Sequence, residues 1–90
     1  MALSKVVVED KIEILELGEI QVRTKTSVLE DNVELSSAYH RHVIDTQTKD
    51  ADGNWQDTDV SGESARVRAL ATATWTDAVK TAYQEYVDAL

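Results

Sequence analysis

Apolar and polar residues alternate through residues 11–46, and this period of two predicts two consecutive β-hairpins. The first hairpin is predicted to turn at residues 16–18, with Gly18 in the left-handed conformation, which pairs Ile14 with Ile20. This register keeps the apolar residues on one face, whereas a slip of one residue would scatter them over both faces. The register of the first hairpin is therefore fixed by its turn and by its apolar pattern together.

The second hairpin is predicted to turn at Asp31 and Asn32, two residue types that tolerate positive φ. A two-residue loop there pairs Glu30 with Val33. The predicted apolar face of the sheet then consists of Ile12, Ile14, Ile20, Val22, Val28, Leu35, Tyr39 and Val43. Arg41 also falls on this face, so either its side chain reaches past the edge of the sheet or a β-bulge shifts the alternation.

The segment after the hairpins, residues 47–60, is polar and acidic and is predicted to form an acidic loop or a short ribbon that turns at Asp52–Gly53. Trp55 is the one large aromatic residue in this segment. It is expected to fold back onto the domain, and the alternative is that it anchors an interface with a partner.

Residues 61–90 carry helix signals. Ser61 is predicted to cap a first helix with Glu63 in its first turn, and Thr76 to cap a second helix. The predicted apolar stripes are Val67, Leu70, Ala71 and Thr74 on the first helix, and Val79, Ala82, Tyr83, Tyr86, Val87 and Leu90 on the second. We expect one α+β domain over residues 1–90, in the order βββαα: a three-stranded antiparallel meander over residues 1–46, the acidic segment, and two short helices packed on one face of the sheet.

Composition narrows the class of function. The chain has 90 residues, a net charge of −8 and no cysteine, so disulfides and thiolate chemistry are excluded. An acidic surface repels phosphate backbones, which argues against nucleic-acid binding, and no apolar run or signal-peptide pattern points to a membrane. We expect a protein that is intracellular, or exported within a larger particle. Because so short a chain buries only a small core, we also expect it to gain stability from partners, as an oligomer or part of an assembly.

The strongest chemical signal is a cluster of cations on the second face of the sheet. By the predicted register this basic face carries Arg23, Lys25, His40 and His42. On an otherwise acidic protein it is the predicted contact surface, which would dock against an acidic patch, including that of a second copy. His40 and His42 project from one side of a strand and could hold a metal, but the neighbouring Arg23 would repel a cation. Metal binding is therefore the weaker alternative, and no cofactor is expected.

Other motifs for catalysis or ligands are faint. With Gly53 at the glycine position, residues 48–59 resemble a calcium loop only in part, because Thr48 stands where the first aspartate belongs and Asp59 where the bidentate glutamate belongs. An Asp- and Gly-rich surface turn accounts for the same residues, and calcium binding stays an open alternative. The sequence has no G-x-S-x-G motif and no glycine-rich phosphate loop, so we expect no enzymatic activity.

Most of the chain resembles a family of small uncharacterised proteins of tailed bacteriophages, especially marine phages and cyanophages. The resemblance lies in EDKIEIL at residues 9–15, IQVRTKTSVLEDNVELSSAYHRHVI at residues 20–44 and ALATATWTDAVKTAYQEY at residues 69–86. It implies a viral origin and a place in the virion, assembled in the host cytoplasm, near the tail or its fibres or as a decoration-type component. It carries no catalytic motif.

The expected function is therefore a non-enzymatic structural or assembly module that contacts itself or other phage particle proteins. The alternative from another class is a small acidic effector that binds a host protein. A weaker alternative is a metal-binding module that uses His40 and His42.

Overall fold

The computed structural model describes residues 2–90 and has a mixed α+β architecture. A three-stranded antiparallel sheet, in the order β1-β2-β3, is followed by a two-stranded ribbon of β4 and β5 and by two helices. The elements are β1 Leu3–Ile14, β2 Ile20–Glu30, β3 Val33–Ile44, β4 Gln47–Lys49, β5 Trp55–Asp57, α1 Ala65–Thr74 and α2 Asp77–Asp88. The predicted order of sheet and helices is confirmed, and of the two alternatives for the acidic segment the structure forms the short ribbon.

Both predicted hairpin turns are confirmed. In the first, the Leu15 N–H donates to the Glu19 carbonyl at 2.9 Å and the Gly18 N–H donates to the Leu15 carbonyl at 3.0 Å. Gly18 has a φ of 90°, as a three-residue turn with a closing glycine requires. In the second, Asp31 and Asn32 have φ values of 50° and 69°, which is the pattern of a two-residue type I′ turn.

Strand β1 begins eight residues earlier than the predicted hairpins do, at Leu3 rather than Lys11. Its first part contains the consecutive valines 6–8, whose β-branched side chains favour a pleated strand. The start of the strand is fastened to the second turn, because the Ala2 N–H donates to Asp31 Oδ1 at 3.2 Å and the Asp31 N–H donates to the Ala2 carbonyl at 3.0 Å. The sheet therefore has three strands of nearly equal length.

A one-residue shift in alternation occurs within β1. The pairing of Leu15 with Glu19 at the turn would place Lys11 opposite Arg23 and put Asp10 on the other face. Yet Arg23 makes two hydrogen bonds to Asp10, of 3.0 and 2.8 Å, so the two side chains share a face. Five residue steps along β1 thus match four along β2. We infer a β-bulge in β1 between Asp10 and the turn.

A second shift of one residue lies in β3. Lys25 pairs with Glu34, and the guanidinium of Arg23 lies 4.6 Å from the centre of the Tyr39 ring. The side chains of Glu34 and Tyr39 therefore lie on the same face of the sheet. Residues five apart on a regular strand point to opposite faces, so the alternation must change between them. The prediction that Tyr39 lies on the apolar face is therefore wrong. The guanidinium of Arg41 lies 5.9 Å from the centre of the same ring, so Arg41 is also on the face of Arg23 and not on the predicted apolar face. This is the outcome that the β-bulge alternative requires.

The predicted apolar face is also less buried than expected. Ile20 and Val22 are fully buried, but Ile14, Leu35, Tyr39 and Val43 expose 44 to 57 % of their surface. The prediction that these four belong to the core is wrong. Alternation places a residue on a face of a sheet, but it carries no information about whether another element covers that face.

The chain forms two compact units. The first contains the described residues up to Glu13 together with Gln21–Val43. The second contains Ile14–Ile20 and Ile44–Leu90, so the first hairpin turn belongs to the same unit as the ribbon and the helices. The boundary between the units therefore falls inside the predicted meander.

Gly18 is buried in the second unit. Its carbonyl accepts a 2.7 Å hydrogen bond from Trp75 Nε1, and the neighbouring Leu17 carbonyl accepts one of 2.7 Å from Thr46 Oγ1. Thr46 is fully buried, so its hydroxyl is satisfied inside the unit rather than by solvent. A Cβ atom placed on Gly18 would lie 2.7 Å from Val79 Cγ1. The turn is thus held by hydrogen bonds from two residues that are distant in the chain, Thr46 and Trp75.

The first helix begins later than predicted. Its N-cap is Ser64, whose hydroxyl accepts from the Val67 N–H, and the prediction that Ser61 caps it is wrong. The reason is a competing turn: Asp59 Oδ1 accepts from the Ser61 N–H at 2.9 Å, and the Glu63 N–H donates to the Val60 carbonyl. The second predicted cap is confirmed, since the Thr76 hydroxyl accepts from the N–H at position 79.

A buried amide joins the ribbon to the second helix. Gln47 is buried, and its Nε2 donates to Asp57 Oδ1 at 2.8 Å while its Oε1 accepts from Gln84 Nε2. Asp57 also receives Lys80 Nζ at 2.9 Å, and this hydrogen bond is the main reason why the pKa of Asp57 lies below its usual value. Every polar atom of the Gln47 amide is thereby used to hold β4, β5 and α2 together.

Candidate protein interaction surface

Arg23, the centre of the predicted basic face, is already engaged within its own sheet. Its Nε and Nη2 atoms donate to the two carboxylate oxygens of Asp10, and its guanidinium lies over the ring of Tyr39. The hydrogen bonds from Arg23 lower the pKa of Asp10 and keep it ionised. Arg23 is therefore held in a fixed geometry with its charge neutralised by an adjacent strand.

Lys25 is neutralised in the same way by the other neighbouring strand. Its Nζ lies 3.2 Å from Glu34 Oε1, which also accepts a 2.9 Å hydrogen bond from Ser27 Oγ. The hydrogen bonds from Ser27 and Lys25 lower the pKa of Glu34. The side of the sheet that carries Arg23 and Lys25 is thus a mixed surface of ion pairs and one aromatic ring, rather than a basic one.

His40 and His42 lie on the opposite side from Arg23. Their rings stack with centroids 6.1 Å apart and planes inclined at 30°, as expected for alternate residues of one strand. Since Tyr39 shares the side of Arg23, alternation puts both histidines on the other side, and the predicted grouping of all four cations on one face is wrong. Among residues 2–90, the structure brings no group of three or more His, Asp or Glu side chains together in a geometry that could hold a metal ion.

Trp55 folds back within the second unit, as expected from the sequence. Its ring lies 5.9 Å from that of Tyr83 in an edge-to-face arrangement, and Lys49 Nζ lies 4.7 Å above it. Lys49 also makes a 2.8 Å salt bridge to Asp88, which connects the ribbon to the end of α2. These contacts give Trp55 a structural role in docking the ribbon.

The acidic turn between β4 and β5 is organised by Asp50. Its Oδ1 accepts from the N–H groups of Asp52 and Asn54, both at 2.9 Å, and its Oδ2 accepts from Gln56 Nε2 at 3.1 Å. The bond from Asn54 is the main reason why the pKa of Asp50 is lowered. Gly53 completes the turn with a φ of 82°. The aspartate spacing that resembles a calcium loop is thus accounted for by turn formation.

A shallow cavity of about 220 Å³ opens on the first unit. Its lining residues are Lys11, Glu13, Gln21, Val22, Arg23, Arg41, His42 and Val43. Lys11 and Glu13 form a 2.7 Å ion pair, and Arg23 is bound to Asp10. The lining has no hydroxyl or thiol group beside His42.

Exposed apolar side chains are the most distinctive feature of the first unit. Those exposing more than two fifths of their surface are Leu3, Val6, Val7, Val8, Val33, Leu35, Tyr39 and Val43. All lie on β1 and β3, the two edge strands of the sheet. The valines of β1 were missed because the sequence was interpreted as strand only from Lys11, although a run of β-branched residues was a signal that could have revealed them.

Comparisons with protein-family models, with curated proteins and with solved structures gave no match. Within the part of the chain that the structure describes, neither helix is long and apolar enough to cross a membrane.

The Asp10–Arg23 pair gives a pH-dependent contribution to stability. Because the pKa of Asp10 is lower in the folded than in the unfolded chain, the pair stabilises the fold above the unfolded pKa, near 4, and the contribution is lost as the pH falls through the folded pKa. We expect Asp10→Asn to lower the melting temperature at about pH 7 and the difference from wild type to shrink at about pH 3. Thermal unfolding followed by circular dichroism measures both. A difference that is the same at both pH values would mean that the substitution acts through packing rather than charge.

Proposed function

We propose that this chain is a non-enzymatic structural or assembly module of a tailed-phage virion, which acts through protein–protein contacts made by the sheet of its first unit. The observation that carries the proposal is the apolar surface on β1 and β3, where Leu3 and Val33 each expose 64 % of their area. A concentration of exposed apolar side chains on the edge strands of a sheet is typical of interaction sites.

The open edges of the sheet support the same function. Both β1 and β3 have only one neighbouring strand, so each presents a row of main-chain N–H and C=O groups to a partner. Proteins that work alone usually cover or interrupt such edges, because they pair readily with other chains. In an assembly, the same edges are a means of attachment by strand addition.

The charge pattern narrows the chemical class of partner that this surface can bind. Arg23 and Lys25 are matched by Asp10 and Glu34, so docking on that side of the sheet does not depend on an acidic partner. The remainder of the chain carries the negative charge, with a total of −8. Partners that match this surface are other proteins with apolar strands, including copies of the chain, rather than nucleic acid. The family resemblance supports a phage particle as the place where such partners occur.

The test is quantitative mass spectrometry of purified particles of the phage that encodes the chain. We expect the protein to be present in every preparation, with a copy number per particle that matches a capsid or tail symmetry. Lysate from infected cells, before particle purification, serves as the control for expression. Strong expression in the lysate with absence from clean particles would overturn the structural role and favour the effector that binds a host protein.

A further inference from the structure

Strand β1 is an edge strand with an exposed apolar centre. Val6, Val7 and Val8 are consecutive, so they point to both faces of the sheet, and they expose 41, 58 and 48 % of their surface. The strand order places β2 on one side of β1 and no strand of the described chain on the other. A β-branched run at an open edge is the arrangement that adds a further strand most readily.

Hydrogen bonds show which main-chain groups of β1 point outwards. The Ala2 carbonyl accepts from the Asp31 N–H, and the same register would set Asp10 opposite Arg23, in agreement with the hydrogen bond between their side chains. Between these two points the even-numbered residues of β1 therefore direct their N–H and C=O groups towards β2, and the odd-numbered residues direct theirs to the open edge. The outward positions in the middle of the strand are Lys5, Val7 and Glu9.

The sequence around Val7 is self-complementary. Lys5 stands two residues before it and Glu9 two residues after it, with opposite charges at equal distances. If a second copy runs antiparallel with Val7 opposite Val7, then Lys5 lies opposite Glu9 in both directions and Val6 lies opposite Val8. Every valine meets a valine and both charges are matched, and each of the outward pairs can exchange two main-chain hydrogen bonds.

Other registers lose these matches. A shift of one residue in either direction places a valine opposite a charged residue, and it sets outward-pointing groups against inward-pointing ones. A parallel arrangement would stack Lys5 on Lys5. In the edge strand β3, the antiparallel register that matches Glu34 with Arg41 also sets Leu35 opposite His40, so its apolar residues meet polar ones. The pattern therefore selects β1 and one register.

We propose that β1 pairs with β1 of a second copy of this chain, antiparallel about a two-fold axis at Val7, and so makes one sheet continuous across the dimer. The proposal rests on the proposed function, since it names the partner and the geometry of one of its protein–protein contacts. A two-fold interface of this kind is isologous, so the same strand supplies both halves of it.

Single cysteines test the register directly, because the natural chain has none. Val7→Cys puts one thiol opposite its own copy, at the Cα separation of about 5.5 Å of a hydrogen-bonded pair, which lies in the range of disulfides. Val33→Cys is the matched control, a valine of similar exposure on the other edge strand of the sheet. In a glutathione redox buffer at micromolar protein, we expect Val7→Cys to form disulfide-linked dimers roughly tenfold faster than Val33→Cys.

Charge reversal tests the ion pairs. Lys5→Glu sets two glutamates against each other at both ends of the valine run, and we expect the dimer dissociation constant to rise roughly tenfold. Lys5→Glu combined with Glu9→Lys exchanges the charges and restores the match, so it is expected to return the dissociation constant to within about twofold of wild type. Sedimentation equilibrium of the three proteins measures these constants, with circular dichroism as the check that each is folded.

A wild-type protein that stays monomeric at all concentrations, or cross-linking that is no faster at position 7 than at position 33, would overturn the proposal. So would a dimer whose dissociation constant is unchanged by Lys5→Glu. These measurements use purified protein, so they can refute the edge pairing while the chain is still found in particles. Conversely, absence from particles would refute the proposed function whatever the dimer measurements give.

Discussion

Gly18→Ala is expected to destabilise the protein by about 3 kcal/mol or more. Two costs add. Gly18 has a φ of 90°, a conformation that side chains with a Cβ rarely adopt. The new methyl group would also lie 2.7 Å from Val79 Cγ1 and 2.9 Å from Thr46 Oγ1, so the surrounding side chains must move.

Gly53→Ala is the matched control for this prediction. Gly53 has nearly the same backbone conformation, with a φ of 82°, but nothing lies within 4 Å of a Cβ placed there. It should therefore cost only the conformational strain, about 1 kcal/mol. Urea unfolding followed by tryptophan fluorescence suits both variants, because Trp55 and Trp75 both lie in the second unit. Equal losses in the two variants would mean that the packing around Gly18 contributes nothing.

The contrast between these glycines shows which structural features can be predicted from a local sequence pattern. Both turns around Gly18 and Gly53 could be predicted, because turn chemistry is local and depends on a few adjacent residues. The type I′ turn at Asp31–Asn32 and the helix cap at Thr76 were predictable for the same reason. That Gly18 is enclosed by Thr46, Trp75 and Val79 depends on contacts between distant residues, which the local pattern does not contain.

The errors in the predicted sheet have the same origin. One extra residue in β1 and one in β3 invert the alternation beyond them, and neither leaves a glycine or proline as a mark in the sequence. The ion pair of Asp10 with Arg23 and the stacking of Arg23 on Tyr39 reveal these shifts only once the strands are side by side. The prediction of a basic face was wrong for this reason. It assumed one register for the whole length of each strand, whereas the alternation changes within β1 and within β3.

The predicted cap at Ser61 failed through local competition. Ser61 and Ser64 are equally good capping residues, and the choice between them depends on Asp59, which accepts the Ser61 N–H and forms a turn before the helix. The helix then starts at Ala65, capped by Ser64. A signal for helix start is therefore reliable to within a turn, but not to the residue.

Ile20→Ala is expected to cost about 2–5 kcal/mol, because Ile20 is completely buried and its removal leaves a cavity that the second unit can only partly fill. Ile14, at the other end of the same turn, is its natural control. The sequence predicts both as core residues, but Ile14 is 44 % exposed, and Ile14→Ala should cost less than about 1 kcal/mol. Urea unfolding followed by the fluorescence of Trp55 and Trp75 measures both losses in the unit that contains these isoleucines. Similar costs for the two variants would indicate that Ile14 is buried in solution, as it would be if a partner or a second copy covered it.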